Sequence, residues 1–308
     1  MKTNRILFLA MTALVLSACS NEEEDDWNNE IRLNVSIPAE ELQLSSVTRA
    51  VGADLMTVFG GEKVHIYITD HGNNAQIVSG QYTATGTSLT SFTAYYPTTG
   101  NTVDIKGYYP YQPADYTTVT VNNTSTAFAV QANQSTLNAY KASDLMYAHA
   151  DNCARGTTAH SLVFNHALSK IIVEVKGDGT VSEKATVTLK NVKLKATLTN
   201  GVFSSLASSN NDATTVSMGT TTNSLSSTGQ SLSAIIPPQT IAASTQFIEV
   251  ALASGAKYTY SIPTGGKTFD AGNAYTYTIT LGVYGISVSA SVGTWGNGGT
   301  TAIGSQKI

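Results

Sequence analysis

The chain has 308 residues, of which 42% are hydrophobic and only 12% charged, with a formal net charge of −4 and two cysteines. That charged fraction is about half the usual ~25%; Ser, Thr, Asn and Gly fill the polar positions, a mixture suited to short strands and tight turns. The body carries no basic stripe of the kind a nucleic acid would need, and the length allows about two domains at ~150 residues each.

Residues 1–18 read as a lipoprotein signal peptide. Lys2 and Arg5 supply a positive start, and Ile6 to Leu16 is an apolar run too short to span a bilayer as a stable helix. It ends in Leu16-Ser17-Ala18-Cys19, which resembles a bacterial lipobox with Cys19 as the lipidated residue. Each buried CH₂ of an acyl chain contributes about 0.8 kcal/mol, so several chains would hold the precursor firmly on a membrane. Cys153 is then left alone, and no intrachain disulfide is expected. Residues 19–29 read as an acidic tether, because Glu22, Glu23, Glu24, Asp25 and Asp26 repel one another and bury nothing. Their position also resembles the surface-export signals of some Gram-negative lipoproteins.

The first body segment alternates strictly: Ile31, Leu33, Val35 and Ile37 are separated by Arg32, Asn34 and Ser36. This pattern predicts a strand with one buried face. Pro38 has no N–H for a ladder and stops the pairing. A polar connection then leads to Val47-Thr48-Arg49-Ala50. A core-forming strand therefore sits just ahead of a lone loop arginine, and a trypsin-like cut after Arg49 would make it detachable. The plain alternative is an ordinary first strand followed by an ordinary loop.

Further β patterns follow. Val64, Ile66 and Ile68 alternate with polar or aromatic neighbours and lead into the turn residues Asp70 to Asn74. Two tyrosine-proline blocks, Tyr95-Tyr96-Pro97 and Tyr108-Tyr109-Pro110-Tyr111, suit strand ends or sheet edges and also supply aromatic faces for a sugar. Leu137 to Tyr140 suggests a short helical turn or a loop, and Asp144 to Ala148 a closing strand. The polar stretch Asp151–Thr158 marks the expected boundary, giving an N-terminal domain over 30–152 and a C-terminal domain over 158–308. In the second domain, Lys176 to Thr180 reads as a hairpin turn, and a phase slip near Lys190-Asn191 as a bulge. Ser204 to Thr228 reads as a weakly patterned surface excursion. Strands are expected at Leu232–Ile236, Ile248–Leu252, Tyr258–Ile262, Tyr275–Leu281 and Ile286–Val292. All-β, as tandem sandwiches, is the economical fold.

No catalytic constellation emerges. The histidines His65, His71, His149, His160 and His166 form neither HExxH nor a Cys/His zinc spacing, so no metal and no cofactor is expected. There is no GxSxG elbow and no phosphate-cradling glycine loop. The acids are few, five lie in the tether, and Asp104, Asp115, Asp144 and Glu174 show no pairing that suggests a glycosidase.

The ordered set of motifs resembles the fimbrillin family, the subunits of type V pili on Gram-negative outer membranes. The resemblance runs nearly end to end. It rests on the lipobox, Val47-Thr48-Arg49-Ala50, the tyrosine-proline blocks and Phe164-Asn165-His166-Ala167-Leu168-Ser169-Lys170. It continues through Ala234-Ile235-Ile236-Pro237-Pro238-Gln239, Phe269 to Tyr277 and Trp295.

The resemblance implies two transthyretin-like β-sandwich domains, an outer-membrane lipoprotein precursor and no enzymatic activity. It implies cleavage by an arginine-specific protease between Arg49 and Ala50. A strand from another pilus subunit, in a homo- or heteropolymer, then fills the place of Ile31, Leu33, Val35 and Ile37. The candidate donor runs from Ile286 to Ile303, where Ile286, Val288, Ala290 and Val292 alternate well. The competing function is an uncleaved surface lipoprotein that binds glycan through the tyrosine blocks.

Overall fold

The structure, a computed structural model, describes residues 28–38, 58–98, 102–110, 125–199, 202–205, 213–295 and 300–307. Cys19, Arg49, Ala50 and Tyr111 lie outside the described residues. The first half of the chain contains β1 (Leu33–Ser36), β2 (Phe59–Asp70), β3 (Gln76–Gly86), β4 (Ser88–Thr90), β5 (Thr102–Tyr109) and β6 (Ser125–Ala129). Then come α1 (Leu137–Ser143), β7 (Met146–Ala154), β8 (His160–Val163) and β9 (Asn165–His166). Alternation in β2 and β5 sends Val64, Ile66, Ile68, Val103 and Ile105 inward, each at 0% exposure. A six-stranded sheet in the order β4-β3-β2-β5-β7-β9 results. Across its inner face lies the two-stranded pair β1-β8, whose Val35, Leu162 and the following Phe164 join the same core.

The second half contains β10 (Ser169–Gly177), β11 (Ala185–Val192), β12 (Lys195–Thr199), β13 (Val202–Ser205), β14 (Thr214–Thr220) and β15 (Gln230–Ile236). It continues through β16 (Gln239–Ile241), β17 (Gln246–Leu252), β18 (Lys257–Ser261), β19 (Lys267–Phe269), β20 (Asn273–Gly282), β21 (Gly285–Thr294) and β22 (Thr300–Lys307). A five-stranded sheet, β15-β10-β20-β21-β22, and a four-stranded sheet, β14-β11-β17-β18, bury one continuous core between them. Ile171, Val173 and Tyr277 come from the first sheet; Val187, Leu189 and Ile248 from the second. Among the described residues the fold is all-β apart from the short α1.

Four sequence expectations differ from what is observed. The stretch 151–158 does not separate the two cores. β8 and β9 follow it and still complete the first half, and a separate cluster of Leu145, Ala167, Leu168, Ile235 and Trp295 marks the changeover. Conversely, β6 pairs with β12, and Asn133 bridges to Ser217, so residues 125–133 pack on the second half. Lys176 to Thr180 is not a hairpin: β10 pairs with β15 and β20, and the chain crosses to the other sheet to begin β11. The crossing is tight enough that a Cβ on Gly177 would sit 2.2 Å from the Val181 carbonyl. Finally, Ser204 to Thr228 is not all excursion, since Val216 and Met218 of β14 are buried against β11. The slip at Lys190-Asn191 is present as a register shift between Leu189 and Val192, with Asn191 at φ +55.

A strand slot as candidate functional site

β1 lies ahead of the main body in sequence, because residues 37–58 separate it from β2. It lies parallel to β8, with Leu33 opposite His160 and Val35 opposite Leu162. The ladder is extended at both ends: His160 N donates to Arg32 O at 2.8 Å and Phe164 N to Ser36 O at 2.8 Å. The other edge of the segment faces residues 87–96. There Ile31 N donates to Ala94 O at 2.7 Å, Val35 N to Thr87 O at 3.0 Å, and Tyr96 N to Asn29 O at 3.0 Å. The first strand is thus held between two chain segments that do not pair with each other.

Its apolar face points into the first core. Ile31 is 1%, Val35 0% and Ile37 6% exposed, while Leu33 is only partly buried. At about 1.5–3 kcal/mol each, these three burials sum to roughly 5–9 kcal/mol as an upper bound. The floor is tightly packed: Phe164 meets Phe59 edge-on at 5.2 Å between ring centroids. A Cβ on Gly107 would come within 2.5 Å of Phe164 Cζ, so β5 needs glycine there.

The mouth of the slot is polar. Asn29 turns the chain into the strand at φ +59, a left-handed conformation that Asn tolerates better than most residues. The Arg155 guanidinium donates to Asn29 Oδ1 at 3.2 Å and to the Pro97 carbonyl, and lies 5.8 Å from the centroid of the Tyr96 ring. Tyr96 OH donates to Ala154 O at 2.8 Å and meets His160 Nε2 at 2.5 Å. Burial pushes the His160 pKa below its ordinary value, partly opposed by the Ala154 carbonyl. Arg32 Nη1 donates to Thr157 O at 3.4 Å.

The sequence singled out Ile31, Leu33, Val35 and Ile37 but not their surroundings. Tyr96, Arg155, His160 and the parallel partner β8 carry no signal in a single sequence, because the pairing spans more than a hundred residues. The candidate donor residues Ile286, Val288, Ala290 and Val292 belong to β21, an interior strand paired with β20 on one side and β22 on the other. Ile286 and Val288 are buried in the second core, and Ala290 and Val292 pack against it. The described tyrosines of the blocks serve mainly as packing: Tyr96, Tyr108 and Tyr109 are 5–7% exposed, and among them only Tyr95, at 47%, offers a face. Burial raises the Tyr108 hydroxyl to about 12.

His166 and Cys153 are accounted for locally. His166 Nδ1 lies 2.8 Å from Asp144 Oδ1, and its ring stacks on Trp295 with centroids 4.0 Å apart. Cys153 is buried, and burial with nearby Asp104 and Asp151 pushes its thiol up to about 11, away from the thiolate form. Among the described residues, no group of three or more His, Cys, Asp or Glu is placed to hold a metal, and no helix is long and apolar enough to cross a membrane.

The fold and the slot define a class: an all-β protein whose first half is completed by a short strand lying ahead of the main body. The chain belongs to the fimbrillin-like family, whose family model matches residues 48–295. It is 26% identical over 319 residues to a candidate fimbrium subunit, Fim1C, of Bacteroides uniformis, covering 97% of this chain and 98% of that one. Its fold is similar to that of a candidate cell adhesion protein from Bacteroides uniformis, with TM-score 0.60, 20% identity, and coverage of 87% and 100% of the two chains. It is also similar to that of the tip fimbrial protein Mfa3 from Porphyromonas gingivalis, with TM-score 0.55, 11% identity, and coverage of 86% and 100%. Family membership makes this a structural fimbrial subunit rather than an enzyme.

Proposed function

We propose that this fimbrial subunit is made as an outer-membrane lipoprotein anchored at Cys19, cut between Arg49 and Ala50, and assembled on the cell surface by strand exchange to serve adhesion. The observation that carries the reading is β1. Its buried residues complete the first core, yet it is joined to the body only through the segment that holds Arg49. While attached, the strand shields the edges of β8 and of residues 87–96, which would otherwise template pairing with another chain. Once cut, it is a separate ligand, and an incoming strand can gain the same ladder and the same alternating pockets. The match to the family begins at residue 48 and ends at 295, which leaves β1 and β22 outside it and the body from Arg49 to Trp295 within it.

The donor is better sought in β22 than in β21. Withdrawing β21 would tear Ile286 and Val288 from the second core. Among the described residues β22 pairs only with β21, at the margin of its sheet, and follows the glycine-rich link Gly296 to Gly299. The two sandwich-like halves are read as two domains meeting near Ala167. The partners are other pilus subunits and an arginine-specific protease. Burial of the tyrosines argues against the glycan-binding alternative.

Replacing Arg49 tests the reading. Arg49→Ala is expected to leave a membrane-anchored precursor and no fibres. Normal fibres from that variant would overturn it.

A further inference from the structure

We propose that the mouth of the slot is a latch, closed by Arg155 on Asn29, which keeps the strand seated after the chain is cut, so that cleavage and release are separate steps. This rests on the strand-exchange reading above.

The reasoning starts from where the two ends of the strand lie. The proposed cut at Arg49 follows the C-terminal end of β1, and Asn29 marks its N-terminal end, toward Cys19. Cutting frees only the first of these ends. At the other end the Asn29 carbonyl accepts from Tyr96 N at 3.0 Å, and its side-chain oxygen accepts from Arg155 at 3.2 Å. Arg155 is itself fixed by the Pro97 carbonyl and by the Tyr96 ring. Tyr96 is fixed in turn by Ala154 O and His160, the residue that opens the parallel partner strand. One guanidinium therefore joins three segments: the strand, residues 96–97 and the loop that precedes β8. A planar fork of donors suits this role in a way a lysine ammonium does not.

The consequence is a cut but still docked state. The lipidated fragment ending at Arg49 holds the body at the membrane by non-covalent contacts until a donor strand displaces it. A subunit in this state keeps its sheet edges covered, which prevents uncontrolled pairing before a partner arrives.

The experiment uses the full-length lipoprotein in detergent, cut by an arginine-specific protease, with the cut site identified by mass. Loss of the fragment ending at Arg49 is followed by size exclusion over time. The wild-type fragment should co-elute with the body. Arg155→Ala should lose it about tenfold faster, the scale of one charge-assisted hydrogen bond. Arg155→Lys should fall between the two. Asn29→Asp keeps the left-handed turn and adds a charge opposite Arg155, and should slow the loss. Equal rates in all four proteins, or immediate loss from the wild type, would overturn the latch. Should Arg155→Ala fail to fold, the opposite shifts in the Lys and Asp variants decide the matter. Excess synthetic peptide covering residues 28–38 separates the two ideas: a wild-type fragment that this peptide never displaces contradicts the strand-exchange reading itself, not the latch.

Discussion

The two halves of the molecule solve the same packing problem differently. In the second, nearly every strand of the core is supplied by one uninterrupted stretch, from Ile171 to Val288, and its two sheets share 0% exposed residues such as Val173, Val187 and Phe247. In the first, the core is finished by β1, which is separated from β2 by residues 37–58 and pairs in parallel with β8 near the other end of that half. A core closed by a remote segment can be opened by removing that segment; a continuous one cannot. On the proposed reading, the difference teaches that exchangeability would come from connectivity and not from weak packing, since Val35 is as fully buried as Val187.

The sharpest way to break this comparison is to place a charge in each half. Val35→Asp should cost on the order of 4 kcal/mol. It should expel the strand while the second half stays folded, seen by hydrogen exchange as deprotection confined to residues 59–110 and 146–164. Val187→Asp should instead unfold the second half. If Val35→Asp unfolds both halves together, the halves are not separable.

Next in size is the floor of the slot. Phe164→Ala should cost about 3–5 kcal/mol through the cavity it leaves. Gly107→Ala should cost about 1–3 kcal/mol by overpacking against the same ring. Combining Gly107→Ala with Phe164→Leu should cost less than the sum of the two, because they share one contact. Additive losses in thermal melts would show that the ring and the glycine are not in contact.

The smallest effect concerns acid. All five histidines precede Ser169, so the second half from there on has none. Burial depresses the pKa values of His65 and His160 in the folded chain. Their folded forms therefore bind protons less readily than the unfolded chain does. The stability they contribute is fully present above the ordinary value of 6.5 and declines as the pH drops through and below it. Acidification from pH 7.5 to 5 should lower the melting temperature of the first half more than that of the second. His160→Gln should reduce that difference. An equal response of both halves would contradict the assignment.

Much of this was legible in the residues themselves. The alternation in Ile31–Ile37, Val64–Ile68 and Tyr275–Leu281 is a local consequence of one buried face, so period-two patterns identified the strands directly. What escaped was long-range pairing. Residues 176–180 carry ideal turn chemistry, yet β10 takes its neighbours from β15 and β20, because here the chain crosses from one sheet to the other to begin β11. The polar stretch 151–158 reads as a boundary by composition, but the chain returns through Leu162 and Phe164 to close the first core. β21 reads as a good donor because it alternates well, and that alternation is what commits it to its own core. The mouth formed by Asn29, Tyr96, Arg155 and His160 was invisible for the same reason: its members meet only after three distant segments have converged.

The central claim is that the segment 31–37 leaves when the subunit assembles. The direct measurement is the mass of the first peptide of subunits recovered from washed surface fibres. The account predicts chains that begin at Ala50, with residues 31–37 absent. Assembled subunits that all begin at a lipidated Cys19 and retain residues 31–37 would contradict it.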